Sequence, residues 1–295
     1  MTRLTNGEFW NEAHRKDDKN IKGERSKSTL KKLIFRIFGS RILELRHNYP
    51  DYLLWDHIYQ KHLPVERGLR AIEIGSAPGY HLVAANKRFG YDPYGIEYSQ
   101  NGVEANREVF RKSGLNPDNV IFDDFFSDDF LKKYSGYFDI VFSRGFIEHF
   151  TNMDDVISRH IGLLKKGGYL IVSIPNLRGI NYLLTRFFDK RLIAMHNLNI
   201  MRKSNFANLF DQECLQTLFC DYYGTFWFGL FQTKPASVKN FILAFCFKLQ
   251  LLLNIIFRVL FRNKGKESSF FSPFLLFVGK RESENTPFDA GESKL

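Results

Sequence analysis

The residues best suited to chemistry lie around a turn that follows a short apolar run. Residues 71–74 have strand character and include the acidic residue Glu73. A turn of small residues follows directly: Gly75, Ser76, Ala77, Pro78 and Gly79. A tight turn between a parallel strand and a helix lets a ligand approach the backbone, although it can also serve only to connect the two elements. The spacing excludes the dinucleotide fingerprint G-x-G-x-x-G.

More acidic residues follow the next two predicted strands. Glu97 lies near the end of the strand 93–98, 22 positions after Gly75. A carboxylate at this separation reaches ribose hydroxyls from the neighbouring strand tip, because it accepts hydrogen bonds from both of them. Asp123 and Asp124 end a third strand that begins at residue 120. The pattern favours a ribose-containing ligand over a solvated glutamate at a strand end.

A fourth strand begins at Asp139 and ends in the tip 143–145, where ligands of open parallel sheets bind. His149 follows this tip. Its unperturbed pKa lies near neutrality, so it can act as a general base towards a hydroxyl, or it can cap a helix or pair with the backbone. The adjacent Glu148 can orient neighbouring groups or a metal.

These side chains need strands and helices to position them. Strands alternate with helices at 81–89, 101–113 and 154–164, which predicts a parallel sheet with right-handed crossovers. Beyond residue 180 the sequence predicts one more helix and two more strands: a helix at 211–220 and strands at 223–231 and 274–279.

The motifs resemble those of class I S-adenosylmethionine-dependent methyltransferases of the small-molecule type. E-x-G-x-x-x-G is similar to the first motif, F-D-x-V-x-S-x-x-x-x-E-H-F to the fourth-strand motif, and L-K-K-G-G-Y-L-I-V-x-x-P-N to the fifth. The resemblance covers residues 70–180. It implies a Rossmann-like α/β fold: a seven-stranded sheet, parallel with one antiparallel strand, in three α/β/α layers.

The resemblance also implies the cofactor S-adenosyl-L-methionine and its contacts. Glu97 would hold both ribose hydroxyls, while Asp124, or Asp123 in a register shifted by one, would accept from the adenine amino group. The backbone N–H of the residue after the acid would meet a ring nitrogen. The predicted cofactor-binding residues are Glu73, Gly75, Ser76, Ala77, Gly79, Glu97, Tyr98, Asp123, Asp124, Phe125, Ser143 and Arg144, and the predicted catalytic residue is His149. In the segment after the fifth strand, His196 and Arg202 are candidates for acceptor contact or for a core or surface role.

Two absent motifs and the cysteines narrow the chemistry. There is no [DN]-P-P-[YF] motif for methylation of amide nitrogens and no Pro-Cys pair for methylation of pyrimidines. O-methylation or amine methylation of a small substrate remains. Cys214, Cys220 and Cys246 form no C-x-x-C, which argues against a disulfide framework or a zinc site. No metal is predicted, and a reducing cytoplasm fits best.

The N-terminal segment 1–69 is predicted to be a helical cap without a signal peptide. A basic amphipathic helix at 30–45 would pack on the core or contact acidic lipid headgroups or substrate phosphates. A second helix at 51–62 would be stopped by Pro64. The net charge of +10 allows polyanions or an anionic membrane surface as partners, or a generally basic cytosolic protein.

A helical insertion at 236–266 interrupts the predicted methyltransferase domain 70–281. Its segment 241–261 is long enough to span a bilayer, but polar and apolar residues occupy opposite halves of a helical wheel. Lys248 near its middle would be costly in hydrocarbon, which favours an interfacial helix over a spanning one; a core-packed or dimerising helix is the other alternative. The tail 282–295 is predicted to be disordered.

The sequence therefore predicts methyl transfer to a hydroxyl or amine of a small-molecule, glycan or lipid-linked acceptor at the cytoplasmic face of a membrane. An RNA-directed methyltransferase is an alternative that the positive charge suggests, but no recognisable nucleic-acid-binding module accompanies the core. The third hypothesis is a non-catalytic interaction protein that binds S-adenosylmethionine.

Overall fold

The computed structural model describes residues 3–5, 48–233 and 237–282 of the chain. Strands and helices alternate from residue 70 to residue 175, as the sequence predicts. The strands are β1 (Arg70–Ile74), β2 (Asp92–Glu97), β3 (Val120–Phe122), β4 (Phe138–Arg144), β5 (Leu164–Pro175), β6 (Leu215–Tyr223) and β7 (Phe274–Arg281).

All seven strands form one sheet in the order β3-β2-β1-β4-β5-β7-β6. The first five strands pair in parallel, and β7 runs antiparallel to both of its neighbours. The predicted seven-stranded sheet with one antiparallel strand is confirmed. The strand order reverses between β1 and β4, so a crevice opens beyond the carboxyl ends of these strands, where open α/β sheets bind ligands.

The helices cover both faces of this sheet. They are α1 (Tyr49–Leu53), α2 (Tyr59–His62), α3 (Tyr80–Phe89), α4 (Gln100–Lys112), α5 (Asp128–Tyr134), α6 (Met153–Leu163), α7 (Ile180–Asp189), α8 (Arg191–Ala194), α9 (Lys203–Asn208) and α10 (Val238–Phe261). Leu82 of α3 and Val103 of α4 are buried in one cluster with Trp55, whereas Val156 and Ile157 of α6 belong to the cluster on the opposite face. Burial of apolar side chains on both faces explains the three-layer arrangement.

The predicted second helix is confirmed. A π-helical turn, Leu54–Ile58, joins α1 to α2, and the combined helix ends at His62, two residues before Pro64. The predicted helix at 30–45 and the predicted disordered tail after residue 282 lie outside the described residues.

The prediction is wrong for the region that precedes α10. Residues 211–220, predicted to be a helix, instead contain most of β6, and the predicted strand 223–231 forms a 3-10 turn at Phe228–Leu230. β6 pairs with β7 along nearly its whole length, from Leu215 opposite Arg281 to Tyr223 opposite Phe274. Pairing with a strand more than 50 residues away in sequence overrides the local helical pattern.

Candidate functional site

The turn after β1 forms the floor of the crevice. Gly75 has φ 67° and Gly79 has φ 95°, a left-handed conformation that favours glycine. The backbone N–H groups of Gly75 and Ser76 donate to the carbonyl oxygen of Ile96, at 3.0 and 3.2 Å, which fixes the turn to β2. A Cβ at Gly75 would lie 3.2 Å from Cδ2 of Phe146. Glycine is therefore required both by the backbone and by the close approach of this ring.

A cavity opens above the turn, between the tips of β1, β2, β3 and β4. Of the predicted site residues, nine lie in its wall: Gly75, Ala77, Glu97, Tyr98, Asp123, Asp124, Phe125, Arg144 and His149. The topology thus gathers residues that are up to 74 positions apart in the chain around one space.

The acidic residues of the wall are held in place by backbone donors. Glu97 is only 4% exposed, and its Oε1 accepts a hydrogen bond of 2.9 Å from the N–H of Ser99. Oδ1 of Asp124 accepts from the N–H of Phe126 at 3.0 Å, while Oδ1 of Asp123 accepts from the N–H of Asp124 at 2.7 Å. These backbone donors help to orient the acids at the strand tips.

The sequence gives no indication of the N-terminal residues that cross this cavity. Arg3 forms an isolated antiparallel bridge with Phe150, and its guanidinium is 2.5 Å from Oδ2 of Asp124. The same guanidinium lies 5.1 Å from the ring centre of Phe126 and 5.6 Å from that of Tyr98. Arg3 and Thr5 both line the cavity. No local motif marks them, because the contacts of Arg3 are with residues at least 95 positions away in the chain.

Aromatic side chains complete the wall and were also not predicted as site residues. Phe126, Phe146 and Phe150 line the cavity, and the rings of Phe126 and Phe146 are stacked with centres 6.5 Å apart. Phe146 and Phe150 fall within the fourth-strand motif. The feature of the sequence that could have identified them as site residues is their aromatic character beside a predicted nucleoside site.

Four predicted residues lie outside this wall. Glu73, Ser76 and Ser143 are buried, and Gly79 directly precedes α3 as its N-cap residue. Glu73 contacts His81, with 3.4 Å between Oε1 and Nδ1. Burial lowers the pKa of His81, and the neighbouring Glu73 partly offsets this effect. These positions support the turn from below.

A second cavity meets the first at one side chain. It is lined by α1, the π-helical turn and the start of α3, including Tyr52, Trp55 and His81. Arg144 at the tip of β4 lines both cavities. A cation at this junction is suited to binding an anionic group that enters from either side.

The predicted catalytic residue, His149, is 5% exposed and packs against His196. Its Nδ1 is 2.9 Å from the carbonyl oxygen of Met195, and the two imidazole centres are 4.6 Å apart. Burial, with His196 as the second cause, lowers the pKa of His149 to about 4, so the imidazole is neutral at pH 7. A base this weak withdraws a proton less readily than an ordinary histidine. Burial raises the pKa of the adjacent Glu148 to about 8.

The two candidates for acceptor contact are separated. His196 lies beside His149, next to the cavity wall. Arg202 is exposed at the start of α9 and does not line either cavity. The structure thus brings the first to the site and leaves the second at the surface.

A third buried histidine, His160, should make the free energy of unfolding fall in acid. His160 is fully buried behind Phe125, and burial lowers its pKa to about 4, against 6.5 when unfolded. Between these values the unfolded chain binds a proton that the native state does not, so stability should fall by about 3 kcal/mol from pH 7 to pH 4 through this group. Urea unfolding at several pH values should show His160→Leu gaining stability relative to the parent by that amount as the pH falls. A constant difference between the two would contradict the assignment.

Comparison with known proteins places the fold among methyltransferases. Residues 45–221 match the protein family described as methyltransferase domain. Geranyl diphosphate C-methyltransferase from Streptomyces coelicolor A3(2) is 15% identical, with 88% of this chain and 86% of that chain covered and a TM-score of 0.50. A structure of geranyl diphosphate methyltransferase with GPP and sinefungin is also 15% identical, with 77% and 76% covered and a TM-score of 0.50. At this identity the two structures show the shared fold alone. No curated protein sequence matches the chain significantly.

Proposed function

This chain belongs to the methyltransferase domain family, and on that premise we propose that it methylates a hydroxyl or amine of a small-molecule, glycan or lipid-linked acceptor at the cytoplasmic face of a membrane. It is an S-adenosylmethionine-dependent methyltransferase, since the matched family covers more than half of the chain. The class of acceptor and the association with a membrane are what we propose. The observation that supports this proposal is the orientation of α10.

The described residues fit the cofactor. The wall offers Glu97 at the tip of β2 and Asp124 after β3, and only a glycine at position 75 leaves the space below Phe146 open. We propose that Glu97 would accept from the ribose hydroxyls and that Asp124 would accept from the adenine amino group. When bound, the cofactor supplies an electrophilic methyl group, and the protein contributes mainly by orienting the acceptor towards it.

The polar side of α10 faces the protein. Oε1 of Gln250 accepts from the N–H of Phe228 at 2.8 Å, and Nε2 of Gln250 donates to Oδ1 of Asn254 at 2.9 Å. Oδ1 of Asn254 also accepts from the N–H of Tyr49 at 3.3 Å. Gln250 is 4% exposed and Asn254 is 2% exposed. These polar contacts attach the helix to the domain together with the burial of Leu243 against Phe188 and Phe231.

The apolar side of α10 faces outward. Large apolar side chains with exposures from 36% to 79% cover it: Val238, Phe241, Ile242, Phe245, Phe247, Leu249, Leu251, Leu252, Ile255, Ile256, Val259 and Leu260. Leu183 and Phe187 of α7 are exposed too, and Lys239 donates to the carbonyl oxygen of Phe187, which brings α7 close to α10. An apolar surface of this extent is a feature of interaction sites, and a helix with one apolar face suits the lipid interface.

Contacts along its length favour α10 lying flat on a membrane. Among the described residues it is the one helix long and apolar enough, by length and composition, to cross a bilayer. It is bonded to the domain near its start through Lys239 and in its second half through Gln250 and Asn254. Directly after its end, the carbonyl oxygen of Arg262 accepts from the hydroxyl of Tyr49 at 2.8 Å. A helix of 24 residues, about 36 Å long, that is attached to a globular domain at three levels cannot also be surrounded by lipid.

Basic residues beside the apolar face indicate the kind of lipid. Exposed cations occur near both ends and in the middle of the segment: Lys239, Lys248, Arg262, Lys264 and Lys266. Anionic headgroups attract such residues with about 1 kcal/mol for each cation near the surface. We infer that the protein binds the anionic cytoplasmic leaflet through α10.

Vesicle binding tests this orientation. The full chain should bind phosphatidylglycerol-containing vesicles more strongly than vesicles of phosphatidylcholine alone. The double variant Phe241→Ser with Phe245→Ser should lower the partition coefficient at least about tenfold, because each phenylalanine contributes about 1.5–3 kcal/mol when fully buried. A control pair on other surfaces, Val65→Ser with Phe122→Ser, should bind like the parent. Equal binding by all three proteins would contradict the proposal.

The acceptor is tested with isotopically labelled cofactor. Membrane lipids, glycans and RNA from the same cells are each incubated with the parent protein, and label is counted in each fraction. Label in the lipid or glycan fraction is expected. Label confined to RNA would favour the nucleic-acid alternative, and cofactor binding without transfer to any fraction would favour a non-catalytic protein.

A further inference from the structure

Three potential metal ligands meet at the wall of the first cavity. Glu148, His149 and His196 each place one ligand atom within 4.8 Å of the other two. Glu148 is 1% exposed and His149 is 5% exposed. A single ion about 2.0–2.2 Å from each ligand can bind all three after small adjustments of the side chains. Two imidazoles and one carboxylate form a donor set that suits first-row divalent cations.

Both imidazoles are oriented by the backbone. Nδ1 of His149 lies 2.9 Å from the carbonyl oxygen of Met195, and Nδ1 of His196 lies 2.6 Å from that of Leu192. A carbonyl oxygen can only accept, so each Nδ1 carries the proton and each Nε2 carries a lone pair. Metal-binding histidines usually have this arrangement, in which the second nitrogen donates to a carbonyl or carboxylate.

The third group has unused bonding capacity. Oε2 of Glu148 is buried and has no hydrogen-bond partner among the described residues. Buried polar atoms are nearly always paired, so an unpaired carboxylate oxygen beside two oriented imidazoles points to a ligand. A Cβ at Gly145, which lines the cavity, would lie 3.5 Å from Oε1 of the same carboxyl group. Glu148 thus approaches the cavity at a position without a side chain.

The two segments that carry these ligands are joined on either side of the cluster. The N–H of Asn197 donates to the carbonyl oxygen of Glu148 at 2.7 Å, and Nδ2 of Asn197 lies 3.3 Å from that of Phe150. The geometry of residues 47 positions apart is therefore set before any ion binds. Such preorganisation is what a binding site needs.

We propose that Glu148, His149 and His196 bind one divalent cation of the first transition row, such as Mn²⁺, Fe²⁺, Co²⁺ or Zn²⁺. Three protein ligands would leave coordination positions of the ion unfilled. Because His149 lines the cavity, an oxygen or nitrogen of the acceptor would reach these positions from the cavity. The ion would thereby orient the acceptor. This role rests on the proposed function, whereas binding of the ion does not.

Direct measurement of bound metal tests the site. The full chain, freed of metal with a chelator, is titrated with Co²⁺ and Mn²⁺, and binding is followed by Co²⁺ absorption and by metal analysis after gel filtration. We expect one ion per chain. His196→Ala removes one ligand, and Glu148→Gln replaces an anionic carboxylate by a weaker, neutral amide oxygen, so each should weaken binding by about 100-fold or more. The control His62→Ala, at the end of α2, should bind like the parent.

Folding and cofactor binding are checked separately. The melting temperature in chelator, and its increase with S-adenosylhomocysteine, should be retained in Glu148→Gln, whose side chain has the same shape. Absence of a stoichiometric ion in the parent, or parent-like binding by a folded Glu148→Gln or His196→Ala protein, would overturn the site. A parent that binds the ion but labels neither lipid nor glycan would overturn the proposed acceptor and support the metal site.

Discussion

Replacing Glu97 by alanine should weaken binding of S-adenosylhomocysteine at least about 100-fold. The carboxylate of Glu97 is nearly buried in the cavity wall, and its orientation is fixed by the N–H of Ser99. Two hydrogen bonds from ribose hydroxyls to a charged acceptor would contribute about 1.5–3 kcal/mol each, and every 1.4 kcal/mol changes the affinity tenfold. Calorimetric titration gives the dissociation constant, and thermal stabilisation by the ligand provides a second measurement.

Two further variants separate the loss of charge from general damage. Glu97→Gln retains one acceptor oxygen and should lose about tenfold in affinity, because hydrogen bonds to a neutral acceptor are roughly half as strong. Glu104→Ala removes an exposed acid from α4, in the next element of the chain, and should leave the affinity unchanged. A Glu97→Ala protein that binds with the parent's affinity would show that the ribose contact lies elsewhere.

The second large effect is expected at the other end of the turn. Gly79→Ala should lower the free energy of unfolding by about 3 kcal/mol. The residue has φ 95°, and a Cβ would lie 2.1 Å from Oδ1 of Asn106, whose Nδ2 donates to Oγ of Ser76 at 2.6 Å. The left-handed backbone costs about 1–2 kcal/mol, and disturbing a buried hydrogen bond adds about 1–3 kcal/mol.

Gly114→Ala provides a matched control. Gly114 has φ 73°, but a Cβ there would meet nothing within 4 Å. The control should therefore show only the backbone contribution, about 1–2 kcal/mol. Urea unfolding of both variants gives the two free energies. If the two substitutions cost the same, the contact with Asn106 does not restrict position 79.

Most of the fold was predictable from local patterns. Short apolar runs that alternate with helices recur in the first half of the chain, and the parallel strands β1, β2 and β4 follow from this alternation. The prediction of a helix at residues 211–220 was wrong for a different reason. β6 forms an edge of the sheet, and its pairing with β7 depends on a partner that no local pattern identifies.

The amphipathic character of α10 was likewise visible in the sequence, but its orientation was not. A helical wheel separates polar from apolar residues without showing which side meets the protein. The structure attaches Gln250 and Asn254 to the backbone of Phe228 and Tyr49 and leaves the apolar side exposed. Most of the apolar face is consequently exposed, although Leu243 is buried in a small cluster with Phe188 and Phe231. Lipid contact remains a proposal for the vesicle experiment.

The sequence by itself indicated the methyltransferase class through its resemblance to the motifs of that family, and it located the acids at the ends of successive predicted strands. Tertiary structure alone decided which distant residues share a site. It placed Arg3 beside Asp124, and it brought Glu148 and His196 together with His149. The physical reason is that side-chain chemistry at a site depends on distances of a few ångströms, and chain separation does not determine these until the sheet has formed.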